Sequence, residues 1–130
     1  MIDIEKFRRA MRRIAAKKGP FVLFALFRRE NAPDGWDLVV SSPWLKEGRL
    51  KQLAEFAHAL KEILGERQLR ELARIVPIKG DDPALEAVLS AIQVDDGVVE
   101  VRESMFFDLR IRQAIFLRAT RSVKREKRTA

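Results

Sequence analysis

Apolar positions recur along this chain with different periods, and the periods mark its elements. Phe21-Val22-Leu23-Phe24-Ala25-Leu26-Phe27 is an unbroken run. It is too short to span a bilayer and has the length of a strand covered on both faces. A turn is expected over residues 28–35. There Pro33-Asp34-Gly35 supplies a preset φ, a side chain that bonds its own backbone, and a residue free to take positive φ. Trp36 to Ser41 follows as a second strand. Trp36, Leu38 and Val40 share one of its faces, and Asp37, Val39 and Ser41 the other. The remaining elements are expected to cover or extend this hairpin.

Upstream, Ile4, Phe7, Met11 and Ile14 repeat at helical spacing. They predict a helix from a cap at Asp3 to about Lys17, stopped by Gly19-Pro20. Lys6, Arg8, Arg9, Arg12, Arg13 and Lys17 fall on its opposite face. Downstream, Ser42-Pro43 reads as an N-cap and first helical position. A main helix follows over about 49–64, with Leu50, Leu53, Phe56, Ala57, Leu60, Ile63 and Leu64 on its apolar side. Gly65 stops it, and a short helix is expected over 66–73. Arg74 to Ile78 reads as a third strand. Pro77 lacks a donor, which makes that strand an edge or ends it. Asp82 caps a short helix beginning at Pro83, with Leu85, Val88, Leu89 and Ile92 inward.

Asp95-Asp96-Gly97 is a turn and Val98 to Glu103 a fourth strand. Leu109 to Ala119 is a fifth with strict alternation. Ile111, Gln113, Ile115, Leu117 and Ala119 face one way; Arg110, Arg112, Ala114, Phe116 and Arg118 face the other, which is expected to be partly wet. Ser104 to Asp108 closes the last hairpin. The order is α-β-β-α-(α)-β-α-β-β. It predicts an α/β fold, with α+β as the alternative: a single mixed five-stranded sheet with helices packed on it. The second and third strands need a helical crossover, so part of the sheet is expected to be parallel and the flanking hairpins antiparallel. Residues 1–120 are expected to form one globular domain, and 121–130, which lack an apolar stripe, a basic disordered tail.

Composition narrows the chemistry. A chain of 130 residues with 47% hydrophobic content can bury about two-thirds of its unfolded surface. It has no Cys and no Tyr, and its one His, His58, falls opposite an apolar stripe. Disulfides, thiolate nucleophiles and His-pair metal sites are therefore excluded. The basic start and the run at 21–27 lack a small-residue cleavage site, so no signal peptide is expected, and no stretch reaches transmembrane length. The expected compartment is cytoplasmic. No phosphate loop, G-x-G-x-x-G, G-x-S-x-G or H-E-x-x-H motif occurs. No cofactor is expected.

Charge changes the picture most. The net charge is +7. Residues 1–20 carry seven Lys/Arg against two acids, residues 107–130 eight against two, and residues 21–106 eleven against fifteen. A chain basic at both ends points toward phosphate-bearing partners. The expectation is a non-enzymatic binding protein whose partner is nucleic acid or another polyanion. The candidate contacts are Arg8, Arg9, Arg12 and Arg13 on the first helix, Arg110, Arg112 and Arg118 on the last strand, and Lys124, Arg125, Lys127 and Arg128 in the tail. Phe106-Phe107 would either offer a stacking platform for unpaired bases or fold back over the sheet edge; the second is the expectation.

Two other classes remain. Exposed strand edges and apolar residues left over at Trp44, Met105, Phe106 and Phe107 permit a homo-oligomer, a self-associating accessory protein with no nucleic-acid role. A remote third is a metal-dependent nuclease using Asp37 and Glu100. The pair with Arg102 loosely resembles the Asp…Glu-x-Lys layout of restriction-like nucleases. It departs from that layout in placing Arg, which does not deprotonate, where the family has Lys, and in the elements that intervene between the carboxylates.

Overall fold

A computed structural model describes residues 1–45 and 49–122. The first helix, α1 (Ile4–Lys18), starts where Asp3 accepts a bond from the Lys6 amide at 3.2 Å and ends at Gly19. Its buried stripe is Phe7, Ala10, Met11 and Ile14, as the spacing requires. The apolar run becomes β1 (Leu23–Arg29). Leu23 to Phe27 are each no more than 1% exposed, as in a strand covered on both faces. Then come β2 (Ala32–Ser41), α2 (Leu50–Leu69), β3 (Leu72–Pro77), α3 (Pro83–Ala91), β4 (Val99–Phe106) and β5 (Leu109–Ala119).

The sheet is mixed and five-stranded, in the order β3-β2-β1-β5-β4. Only β2 and β3 run parallel, through the helical crossover α2. β1 is the central strand, paired antiparallel with β2 and β5. Its alternating side chains separate two cores. Phe24 and Leu26, with Leu38, Val40, Ile115 and Leu117, pack against α1 and α2. Leu23, Ala25 and Phe27, with Val39, Ala114 and Phe116, pack against Leu85 and Val88 of α3. The result is three layers. Each large side chain so buried contributes about 1.5–3 kcal/mol from lost water contact. No helix of the described residues is long and apolar enough to cross a membrane.

Several local expectations are corrected. The first hairpin turns at Glu30-Asn31, and Pro33-Asp34-Gly35 lies within β2. Between the pairs Phe27–Asp37 and Arg29–Ala32, β1 advances two residues and β2 five. The turn chemistry is spent on a bulge. A Cβ on Gly35 would sit 3.0 Å from the Ala73 Cβ, so the bulge brings β2 close to β3. Ser42 does not cap a helix; its hydroxyl donates to the Pro20 carbonyl at 3.0 Å, and α2 begins only at Leu50. Leu50, expected inward, is 79% exposed. Gly65 does break the helix, with φ 82, but the second segment ends at Leu69 and β3 starts earlier, at Leu72.

The alternation of β5 is broken twice. One extra residue is inserted between the pairs Phe24–Arg118 and Ala25–Phe116, and another between Arg28–Gln113 and Arg29–Ile111. Ile111, Ala114, Phe116 and Ala119 therefore share the α3 face, while Ile115 and Leu117 face α1 and α2. The face expected to be partly wet is buried from Ala114 onward, because α3 covers Ala114 and Phe116 and Arg118 is drawn into contacts within the chain.

Candidate polyanion-binding surface

The outer face of α1 carries a run of unneutralised positive charge. Lys6, Arg9, Arg13 and Lys17 are all exposed. They fall at i, i+3, i+7 and i+11, a single stripe about 16 Å long on a helix of about 22 Å. None makes an ion pair with another described residue. Repulsion along Arg9, Arg13 and Lys17 costs about 0.2–0.5 kcal/mol for each i, i+4 pair. The stripe persists because the opposite face is anchored by four buried side chains and the Asp3 cap. Lys18 stands apart, 3.7 Å from Glu55 and over the Trp44 ring.

The other α1 arginines are engaged inside the molecule. Arg8 reaches Glu5 at 2.9 Å and Asp96 at 3.2 Å, and Arg12 reaches Asp96 at 3.2 Å. The bond to Glu5 leads, with Asp96 adding, in raising the Arg8 guanidinium above its usual pKa against the opposing cost of burial. Arg118 is 8% exposed. The bulge in β5 turns it inward, where it donates to the Phe21 carbonyl, the Asp95 carboxylate and the Ser122 carbonyl. Its expected place on a wet basic face is thus corrected to a strut between chain segments. Asp95-Asp96, read from sequence only as a turn, holds all three arginines. The signal was an acidic pair in a chain with basic ends, but which cations it would meet depended on the fold.

Arg110 is exposed beside a shallow depression lined also by Glu30, Glu103, Ser104 and Met105, so its surroundings are mixed in charge. Arg112 is the inserted residue of the other β5 bulge and is exposed. Lys124, Arg125, Lys127 and Arg128, with the rest of 123–130, lie outside the described residues. Lys6 and Lys17, which share the helix face, complete the stripe that Arg9 and Arg13 begin.

Phe106 and Phe107 fold back. Their ring centroids lie 5.5 and 6.2 Å from that of Phe27, and Phe106 is 5.3 Å from Phe116. They close the α3-side core and offer no open stacking platform. Asp37 and Glu100 do not meet. Two strands, β1 and β5, separate them, which puts them about 14 Å apart. Asp37 is instead buried between Arg29 at 2.8 Å and Arg74 at 3.0 Å. Its carboxylate thereby ties β1, β2 and β3 together. His58 is exposed, 3.4 Å from Glu62 one turn on. Among the described residues no three His, Asp or Glu side chains gather as metal ligands would. The chain matches no protein-family model, no curated protein and no solved structure.

Proposed function

We propose that this chain is a small, non-enzymatic, cytoplasmic protein that docks on a polyanion, nucleic acid foremost, through the outer face of α1. One observation carries the reading. Lys6, Arg9, Arg13 and Lys17 stand exposed in line and without carboxylate partners among the described residues, while Arg8, Arg12 and Arg118 are consumed by Asp95 and Asp96. A helix side of this kind fits a phosphate backbone by charge and length rather than by base readout. Arg112 and the tail cations Lys124, Arg125, Lys127 and Arg128 would add attraction that does not depend on sequence. About four neutralised phosphates imply a slope of log K against log salt near −3.6 for duplex DNA, and near −2.8 for single strands.

The test is fluorescence anisotropy with short labelled single- and double-stranded DNA and RNA at two salt concentrations. It compares the full chain, a chain ending at Ser122, and the double variant Arg9→Glu/Arg13→Glu. Salt-sensitive binding that survives truncation and is lost in the double variant is expected. Binding that does not change with salt, or that the double variant retains, overturns the reading. Binding lost with the tail alone would reduce it to generic attraction.

A second reading, self-association, is supported by a different observation. An apolar groove of about 500 Å3 runs between α2 and β3, lined by Leu53, Ala57, Leu69, Leu72 and Ile75, with the exposed Leu50 at its head. A second copy of this chain is the partner it would take. Light scattering that reports a monomer at high concentration removes that reading.

A further inference from the structure

β2 and β3 are parallel neighbours whose connections part. The chain leaving β2 leads to α2, whose Phe56, Leu60 and Leu64 pack on one face of the sheet. The chain leaving β3 leads to α3, whose Leu85 and Val88 pack on the other. Where adjacent parallel strands send their connections to opposite faces, an open sheet leaves a crevice at their carboxyl ends. A cleft of about 610 Å3 opens there, built from segments far apart in sequence around Val22, Ser42, Ile78 and Arg121. That volume lies within the range of small-molecule sites. It is separate from the outer face of α1.

The walls differ in chemistry. Val22, Leu45 and Ile78 supply apolar surface, and Lys79 and Arg121 supply positive charge. Arg121 is held in place: its Nη2 donates to the Gly80 carbonyl at 2.8 Å and to the Glu86 carboxylate. Both bonds leave from one nitrogen, so the planar group keeps donors on Nη1 and Nε. Asp81 and the Ser42 oxygen stand as acceptors on the same cleft. Glu86 and Asp81 offset the two cations, which leaves no charge surplus for a polyphosphate, so a small anion would be held by the directed donors of Arg121 rather than by net charge. The end of α3 contributes no open amide there. Pro83 has none, Asp82 caps Ala84, and Leu85 and Glu86 bond the Asp82 carbonyl.

Gly80 lies in the turn that the Asp82 amide closes on the Lys79 carbonyl, at the rim of the cleft. A Cβ there would meet nothing within 4 Å, so a side chain placed at this position would enter the open space of the cleft without disturbing the chain. We infer that this cleft binds a small organic anion, a carboxylate or phosphate monoester on a short apolar body. Its head lies toward Lys79 and Arg121, and a hydrogen-bond donor beside the head meets Asp81 and Ser42.

The experiment is an amide chemical-shift titration of the isotope-labelled full chain with mandelate, phenyl phosphate and, as a neutral control, benzyl alcohol, each to millimolar concentration. Shifts confined to Ser41, Ser42, Ile78 to Asp81 and Arg121 are expected with at least one anion and not with the alcohol. Which anion acts separates a carboxylate from a phosphate ligand. Gly80→Leu should abolish the shifts while leaving the rest of the spectrum in place, and Lys79→Met should weaken binding several-fold. The inference is overturned by an absence of localised shifts, by equal shifts with benzyl alcohol, by shifts that persist in Gly80→Leu, or by shifts centred on α1. The last outcome would assign the anions to the basic helix.

Discussion

A single carboxylate shows how little of a residue's role is visible in its type. Asp37 sits on the central hairpin, buried, with Arg29 of β1 and Arg74 of β3 both directed at its Oδ2. Each guanidinium keeps some contact with water, and Arg74 is 45% exposed, so the triad is less costly to bury than an enclosed one. Removing the carboxylate leaves two partly exposed cations facing one another with no acid between them. Asp37→Ala is therefore expected to lower stability by about 2–3 kcal/mol, below the range for fully buried pairs. Urea unfolding should show the loss as a lower midpoint at unchanged slope. Arg29→Met at the same site should cost less, because one guanidinium still neutralises the acid. An equal cost for the two variants would mean that charge balance is not what the triad supplies.

Elements were legible where the pattern is local. The caps at Asp3 and Asp82, the buried stripe of α1 and the bounds of β5 follow from neighbours in sequence. Gly65 is another such position. At φ 82 and ψ 165 it holds a conformation close to glycine-only, and it breaks α2 so that the chain can turn toward β3. Gly65→Ala is expected to cost about 1–3 kcal/mol although a Cβ would touch nothing there, so the loss would report backbone strain rather than a clash. Thermal unfolding followed by circular dichroism measures it; an unchanged midpoint would place the break elsewhere. Elements were misread where one local chemistry serves two geometries. Pro33-Asp34-Gly35 makes a hairpin turn or a bulge equally well, and pairing with β1 and β3 selects the bulge. The β5 bulges left no mark in the alternation, because from Ala114 to Leu117 the strand is apolar on both faces, so a change of phase does not show there.

At the scale of the molecule, the exposed edges bear on association. β3 is short and ends in Pro77. The Ile78 amide bonds the Val40 carbonyl, so the preceding residue turns its backbone nitrogen to the open side. The missing N–H thus weakens the free edge and not the ladder. At the other edge, β4 carries Glu100, Arg102 and a left-handed Glu103 at φ 51. Charge and a local twist blunt it. Pro77→Val should leave the fold intact and restore a donor to the edge. It is expected to raise concentration-dependent association in light scattering relative to the unaltered chain; identical behaviour would show that Pro77 does not guard that edge.

The sequence by itself determined the order and type of the elements, the buried stripe of α1 and the basic ends of the chain. Those properties rest on periodicity and composition over a few turns or one strand. The tertiary structure alone decided the strand order, the depth of β5 and the fate of each cation. Arg9 and Arg13 remain open on α1, while Arg8 and Arg12, one residue away from them, are neutralised by an acid more than eighty positions distant. The cleft at the ends of β2 and β3 is likewise a product of where two connections diverge. The physical reason is the same in each case. Local pattern sets which way a side chain faces from its own backbone, but charge pairing and cavities depend on what another part of the chain brings opposite it.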